Sequence, residues 1–165
     1  LPALGAAVGL AQLKKLKAFN KHRADMAEYY RGHLAGLPLK LYREPAGYKS
    51  ANHIFPVTFP REMIPDPEFM HLVYRALAAE NVPVWWVYPM PLNQVKFLQE
   101  HAAFKYRCPF DCEHRDEPVI YDPHECPVSE DIAGRTLVLP TAPCFSRTVA
   151  ADTVRALRKA IAYFS

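Results

Sequence analysis

A group of side chains that can bind metal lies in the C-terminal half of the chain: Cys108, Cys112, His114, His124 and Cys126. Thiolates and imidazoles are the ligands that zinc prefers, and a long loop with little core of its own would gain folding free energy from a bound metal. However, the spacing contains no Cys-x2-Cys pair. We therefore predict free thiols and no metal in this loop, and a zinc site is the alternative.

A second candidate site is the segment Tyr88-Pro89-Met90-Pro91-Leu92-Asn93. Because each proline fixes its own backbone φ, Tyr88 and Asn93 can be presented to a ligand at low entropic cost. The structural alternatives are that Tyr88 is a packed aromatic residue and that Asn93 caps the next helix. His53, on an alternating strand, is likewise either a ligand contact or a structural hydrogen-bonding residue.

The composition is that of an ordinary globular domain. The 165 residues are 50% hydrophobic and 22% charged, which excludes collagen-like and disordered classes. The net charge of +3 is small and scattered, so we predict no nucleic-acid partner. The apolar run Leu1 to Leu13 is too short to span a bilayer, so no membrane association is expected. Four cysteines without a secretory leader predict reduced thiols in a cytoplasmic protein.

Hydrophobic spacing predicts the elements that position these residues. Apolar residues recur at helical intervals from Pro2 to about Gly36, which indicates a long helix or two in succession. Asp66 and Ser146 are predicted N-caps, Pro56 predicts an edge strand or a bulge, and one residue of the pair Trp85 and Trp86 is expected in the core. The further predicted strands cover 39–42, 53–59, 82–88 and 136–139, and the further helices cover 67–81, 94–103, a segment from Cys126 and 147–164.

The first ten residues are apolar on every side, and the chain opens without a methionine. A helix of this kind is normally buried all round, and Gly5 and Gly9 leave one face flat for close packing. We therefore expect this segment to pack against an upstream portion of a longer polypeptide.

Four motifs, in order, resemble those of the DegT/StrS sugar aminotransferases, which are pyridoxal-phosphate enzymes of the aspartate-aminotransferase fold. Together the motifs cover nearly the whole chain. They are the string from Leu1 to Leu16, the segment Asn52-His53-Ile54-Phe55, the loop from Val87 to Asn93, and Cys126 to Glu130 followed by Leu139-Pro140.

The resemblance implies an α+β architecture: the small C-terminal domain of a fold-type I pyridoxal-phosphate enzyme. Its few-stranded and mostly antiparallel sheet should be covered by helices and entered by a long N-terminal helix. The implied division is an interdomain helix region over 1–36 and a small α/β domain over 37–165. The domain that binds pyridoxal phosphate would lie upstream and is absent from this chain.

The resemblance also implies the reaction, which is amine transfer from Glu or Gln to a keto-sugar, often nucleotide-linked, or to a keto-cyclitol, in a homodimer. The family's Schiff-base lysine lies upstream of Leu1, so no catalytic or cofactor-binding residue is expected here, and the isolated chain should be inactive. A Schiff-base lysine needs a desolvated pocket, whereas the lysines after Leu13 are predicted on a solvated helix face.

The substrate contacts that the resemblance implies are Tyr88, Asn93 and His53. The family's two loop histidines are Val87 and Asn93 here, which indicates a substrate other than the commonest amino-sugar precursors. The aminotransferase and dehydratase branches of the family both stay open. The rival hypothesis is a stand-alone binding module that uses the loop from Cys108 to Cys126 to hold a metal or a partner.

Overall fold

The computed structural model describes residues 2–86, 88–101, 108, 110, 111, 113 and 116–164. Two short 3-10 turns, Arg61–Met63 and Leu92–Gln94, supplement the regular elements. In chain order, those elements are α1 (Ala3–His33), β1 (Lys40–Leu41), β2 (Phe55–Thr58), α2 (Phe69–Ala79), α3 (Lys96–Gln99), α4 (Pro127–Gly134), β3 (Thr136–Leu139) and α5 (Arg147–Phe164). The predicted α+β class, with a long N-terminal helix, is confirmed.

The chain divides into two units, residues 1–85 with 137–165 and residues 86–136. In the first unit, α1 and α2 both pack against α5. The buried residues of α5 recur every three or four positions, because that spacing places them on one face of a helix. They are Ala150, Thr153, Val154, Ala156, Leu157, Ala160 and Ile161.

The second half of α1 supplies the largest buried side chain of this core. Tyr30 is fully buried, its ring lies 5.4 Å from that of Phe55, and its hydroxyl donates a 2.8 Å hydrogen bond to the carbonyl of Pro140. Met26 and Leu34 lie on the same helical stripe and are also buried. This stripe was predicted from the sequence and is confirmed from Met26 onward.

The sheet has the order β1-β2-β3, so β2 is central. Of the two predictions for Pro56, an edge strand or a bulge, the edge strand is therefore wrong. The antiparallel partner β1 has only two residues and pairs with Val57 and Thr58, so Pro56 lies beyond its ladder. A missing N–H at that position therefore removes no hydrogen bond to β1.

Capping hydrogen bonds are found at both predicted N-cap residues, although α2 begins at Phe69 and not at position 67 as predicted. The Asp66 carboxylate accepts hydrogen bonds from the backbone N–H groups of Glu68 and Phe69, at 2.8 and 3.0 Å, just before α2. The Ser146 hydroxyl accepts one from the N–H of Val149, at 3.4 Å, at the start of α5. Both side chains occupy N–H groups that a helix leaves without an internal partner.

In the described residues of the predicted strand over 82–88, the structure has one antiparallel bridge, between Trp85 and Val138, and no regular strand. Pro83 has no N–H to donate, which limits the pairing of this segment. Neither tryptophan lies in the core, contrary to expectation. Trp85 is 43% exposed, and half-buried Trp86 donates its indole N–H to the carbonyl of Ala133, because an indole N–H needs a polar partner.

The second unit has a small aromatic cluster around Phe110, which is 7% exposed. The rings of Phe97, His101 and Tyr121 lie 5.2–6.1 Å from the Phe110 ring. The predicted helix over 94–103 is shortened to α3, and positions 102 and 103 lie outside the described residues. Across the part of the chain that the structure describes, no helix is long and apolar enough to cross a membrane.

Candidate substrate-contact site

The proline segment after Trp86 presents an exposed tyrosine. Tyr88 is 69% exposed, and Leu92, four positions further on, is also exposed. Pro91 has an extended backbone and leads into the 3-10 turn. The structural alternative for Tyr88, a packed aromatic residue, is therefore not what the structure shows, and its phenol is open to an incoming ligand.

Asn93 serves first as an anchor for a neighbouring loop. Its Nδ2 donates hydrogen bonds to the carbonyls of Asp122 and Pro123, at 2.8 and 3.1 Å. The predicted alternative, that Asn93 caps the next helix, is wrong, because α3 begins after Val95 and has no side-chain cap. The amide is engaged by the backbone of 122–123 instead.

Two further amides hold the same loop. Gln94 donates to the Pro123 carbonyl at 2.9 Å, and Gln99 donates to the carbonyl of Tyr121 at 3.0 Å. Backbone carbonyls in an irregular loop need partners, and these side chains supply them. The three amides therefore fix the position of 121–123 within the second unit.

One atom of Asn93 remains available for chemistry. Its Oδ1 is buried and has no hydrogen-bond partner among the described residues. A buried acceptor without a partner costs about 1–3 kcal/mol, and a ligand hydroxyl or N–H that donates to it would recover that free energy. The segment thus has an exposed hydroxyl at Tyr88 and a fixed acceptor at Asn93 that a ligand reaches only by displacing the atoms that cover it. These two groups can bind a polar ligand but form no nucleophile–base pair.

His53 belongs to the first unit, whereas Tyr88 and Asn93 belong to the second. Its side chain is exposed and lies just before β2, which begins at Phe55 and not at His53 as predicted. The carbonyl of His53 accepts a 3.0 Å hydrogen bond from the buried Thr141 hydroxyl. That bond fixes the backbone at this position and leaves the exposed imidazole free of a packing role.

The cysteine loop lies only partly within the described residues, which exclude Cys112 and His114. Cys108 is bonded in a disulfide, so the prediction of reduced thiols is wrong for this residue. Cysteine spacing alone does not reveal which sulfurs the backbone brings within bonding distance. Cys126 and Cys144 are free and exposed. Within the described ranges, no three His, Cys, Asp or Glu residues are grouped to hold a metal.

The lysines do not fit pyridoxal phosphate. A Schiff-base lysine requires a desolvated pocket. Each of the eight lysines in the described ranges is exposed, including Lys96 and Lys159 with side chains 82% and 71% accessible. No step of pyridoxal-phosphate chemistry can therefore be assigned to a lysine in this part of the chain.

Four of these lysines contribute to a feature that the sequence analysis missed. Lys14, Lys17, Lys21 and Lys49 line one groove of about 890 Å³ beside α1. The first three were predicted on a solvated helix face, which is correct, but no sequence pattern indicated that the turn carrying Lys49 lies against that face. The only available signal was the three-and-four spacing of Lys14, Lys17 and Lys21.

The chain belongs to the DegT/DnrJ/EryC1/StrS aminotransferase family, which it matches over residues 1–158. It is 29% identical over 143 residues to UDP-N-acetyl-3-dehydro-alpha-D-glucosamine 3-aminotransferase of Acidithiobacillus ferrooxidans, a match that covers 87% of this chain and 31% of the relative. A 44-residue stretch is 46% identical to GDP-perosamine synthase of Vibrio cholerae and covers 27% of this chain and 12% of that protein.

Solved structures agree in fold. The aminotransferase TlmJ of Streptoalloteichus hindustanus superposes with a TM-score of 0.70 at 22% identity, over 96% of this chain and 36% of TlmJ. DesV of S. venezuelae, solved with a ketimine intermediate, superposes with a TM-score of 0.71 at 22% identity, over 93% of this chain and 35% of DesV. The chain thus spans about a third of the length of these proteins.

Proposed function

We propose that this chain forms the C-terminal portion of a pyridoxal-phosphate-dependent enzyme that transfers an amine from Glu or Gln to a keto-sugar. The proposed amine acceptor is a nucleotide-linked keto-sugar, and a keto-cyclitol is the alternative acceptor. The observation that carries the proposal is the family match over residues 1–158, together with a relative named for a UDP-linked keto-sugar. The proposed enzyme is a homodimer.

The proposed division places an interdomain helix at 1–36 and a small domain at 37–165. Support comes from α1, whose first half is almost entirely exposed, whereas its buried residues, Met26, Ala27 and Tyr30, all lie in its second half. An apolar helix face that the rest of the chain leaves uncovered is consistent with a further domain upstream that binds the cofactor.

Pyridoxal phosphate, held by that further domain, would supply the electron sink of the reaction. Within this chain, Tyr88 and Asn93 bind and orient the sugar. The Tyr88 hydroxyl donates to, or accepts from, a ligand oxygen, and the Asn93 Oδ1 accepts from a sugar hydroxyl. The amides that anchor 121–123 keep Asn93 in place. The family resemblance supports His53 as a separate proposed substrate contact.

A chimera tests this proposal. The stretch of the Acidithiobacillus relative that matches this chain, 31% of its length, is replaced by this chain, and amine transfer from glutamate to its UDP-linked keto-sugar is measured. We expect turnover, with Tyr88→Phe raising KM roughly tenfold because a lost ligand hydrogen bond costs about 1–2 kcal/mol. Tyr163→Phe is the matched control, since Tyr163 is a comparably exposed tyrosine on α5.

The isolated chain gives the complementary result. With added pyridoxal phosphate and glutamate we expect no transamination, because the described lysines are all exposed. Activity of the isolated chain that is lost on replacing one of its lysines would contradict the proposal. So would a chimera that folds as a dimer yet transfers no amine to any keto-sugar.

A further inference from the structure

The groove lined by Lys14, Lys17, Lys21 and Lys49 is separate from the residues assigned above to substrate contact. The first three side chains lie on one face of α1, because positions three and four apart are neighbours on a helix. The turn before β2 brings Lys49 to the same groove, and Gly47 allows that turn because its φ of +84° is strained for other residues.

The charge of the groove is largely uncompensated. Lys21 forms a 2.6 Å ion pair with Asp25. Within the described residues, Lys14, Lys17 and Lys49 form no salt bridge, and no Asp or Glu is among the groove's lining residues. Like charges gathered in a concave surface raise the local concentration of anions.

The lining also includes two polar neutral residues, Asn20 and Ser50. The Asn20 Oδ1 already accepts a 3.2 Å hydrogen bond from Arg23, which leaves its Nδ2 hydrogens to donate. The Ser50 Oγ accepts a 3.0 Å hydrogen bond from the N–H of Asn52, which leaves the Ser50 hydroxyl hydrogen to donate. Ammonium, amide and hydroxyl donors with their acceptors occupied form the donor set of an anion site.

We propose that this groove binds the diphosphate group of a small molecule. Several ammonium groups match the multiple oxygens and charges of a diphosphate better than the single charge of a carboxylate. The volume of about 890 Å³ lies within the range of small-molecule sites. No aromatic side chain lines the described groove, so the stacking that single-stranded nucleic acid requires is missing.

Calorimetric titration of the whole chain with inorganic pyrophosphate, UDP and uridine tests the proposal. We expect pyrophosphate and UDP to bind and uridine not to bind, with affinity that falls as salt is raised. If UDP binds more tightly than pyrophosphate, the natural ligand is a nucleotide. If the two affinities are equal, the natural ligand is a free diphosphate. Both results support the proposed site.

The variants Lys17→Gln and Lys49→Gln, combined, should weaken pyrophosphate binding roughly tenfold, and Lys17→Arg with Lys49→Arg should restore it. Lys15→Gln is the matched control, because Lys15 is an exposed lysine on the same helix outside the groove lining. All of these side chains are exposed, so circular dichroism should show unchanged thermal stability.

Three results would overturn the proposal. One is a lack of pyrophosphate binding at low salt, and another is an equal loss of affinity in Lys15→Gln. The third is tight binding of a poly-glutamate peptide without binding of pyrophosphate, which would make the groove a docking surface for an acidic protein. None of these results depends on aminotransferase activity, so the outcome is separate from that of the chimera.

Discussion

The two halves of α1 both carry apolar residues, but these residues lie in opposite environments. In the first half, Leu4, Val8 and Leu13 are 78%, 54% and 64% exposed. In the second half, Met26, Ala27 and Tyr30 are at most 3% exposed. One continuous helix thus carries both surfaces, and only the second half packs on α5 and the sheet.

The difference teaches that helix formation and burial are separate consequences of this sequence. Residues with high helix propensity occur in both halves, mainly Ala, Leu and Lys in the first half and Ala, Met, Glu and Arg in the second. Burial depends on what lies opposite: the second half packs on α5 and the sheet, whereas the turn at Lys49 leaves an open groove beside the first half. The free energy that the helix contributes to folding should therefore be concentrated there.

The sharpest test of this contrast compares one large-to-small substitution in each half. Met26→Ala should lower the free energy of unfolding by about 2–5 kcal/mol, because it removes a buried side chain and leaves a cavity. Leu13→Ala should change it by less than about 0.5 kcal/mol, because its side chain is already in water. Urea unfolding followed by circular dichroism measures both. Equal losses of free energy of unfolding in the two variants would show that the first half of α1 is also buried.

A smaller effect is expected from the buried tyrosine hydroxyl. Tyr30→Phe should lower the free energy of unfolding by about 1–3 kcal/mol, because it leaves the buried carbonyl of Pro140 without its 2.8 Å hydrogen bond. Tyr29→Phe, on the adjacent half-buried tyrosine, is the control.

The same residue should make stability depend on alkaline pH. Burial raises the pKa of Tyr30 above the ordinary value of 10.0, and its hydrogen bond with Thr153 offsets only part of this increase. Above pH 10 the unfolded chain releases this proton while the folded chain keeps it. The free energy of unfolding should then fall by up to about 1.4 kcal/mol per pH unit. The Tyr30→Phe variant lacks this titrating group. The difference in free energy of unfolding between the wild type and the variant should therefore decrease as the pH rises.

Much of the first unit could be predicted from the sequence, because local signals and burial agree there. The caps at Asp66 and Ser146 and the stripe through Met26 and Tyr30 follow from side-chain chemistry and periodicity. The prediction of a strand over 82–88 was wrong because strand pairing depends on the partner strand. Among the described residues of this segment, only Trp85 pairs with one. Propensity alone does not contain that information.

The candidate site was less predictable for a related reason. The sequence identified Tyr88 and Asn93, but the bonds from Asn93 to Asp122 and Pro123 join segments distant along the chain. The groove beside α1 likewise depends on the turn at Lys49 meeting Lys14 and Lys17. Contacts of this kind have no local signature, so spacing rules cannot reveal them.

The smallest expected effect concerns the exposed first half of α1 itself. Leu4 and Val8, with the exposed Gly5 and Gly9 between and beside them, form an apolar surface that should promote weak self-association of this chain. Leu4→Lys with Val8→Lys should abolish that association in sedimentation velocity runs over a roughly hundredfold concentration range, with little change in stability. Ile120→Lys with Val128→Lys is the matched control, since these apolar residues are equally exposed but lie in the second unit. The opposite result would be self-association that persists with the α1 substitutions and is abolished by Ile120→Lys with Val128→Lys. The self-associating surface would then lie outside α1, and α1 would no longer support an upstream domain.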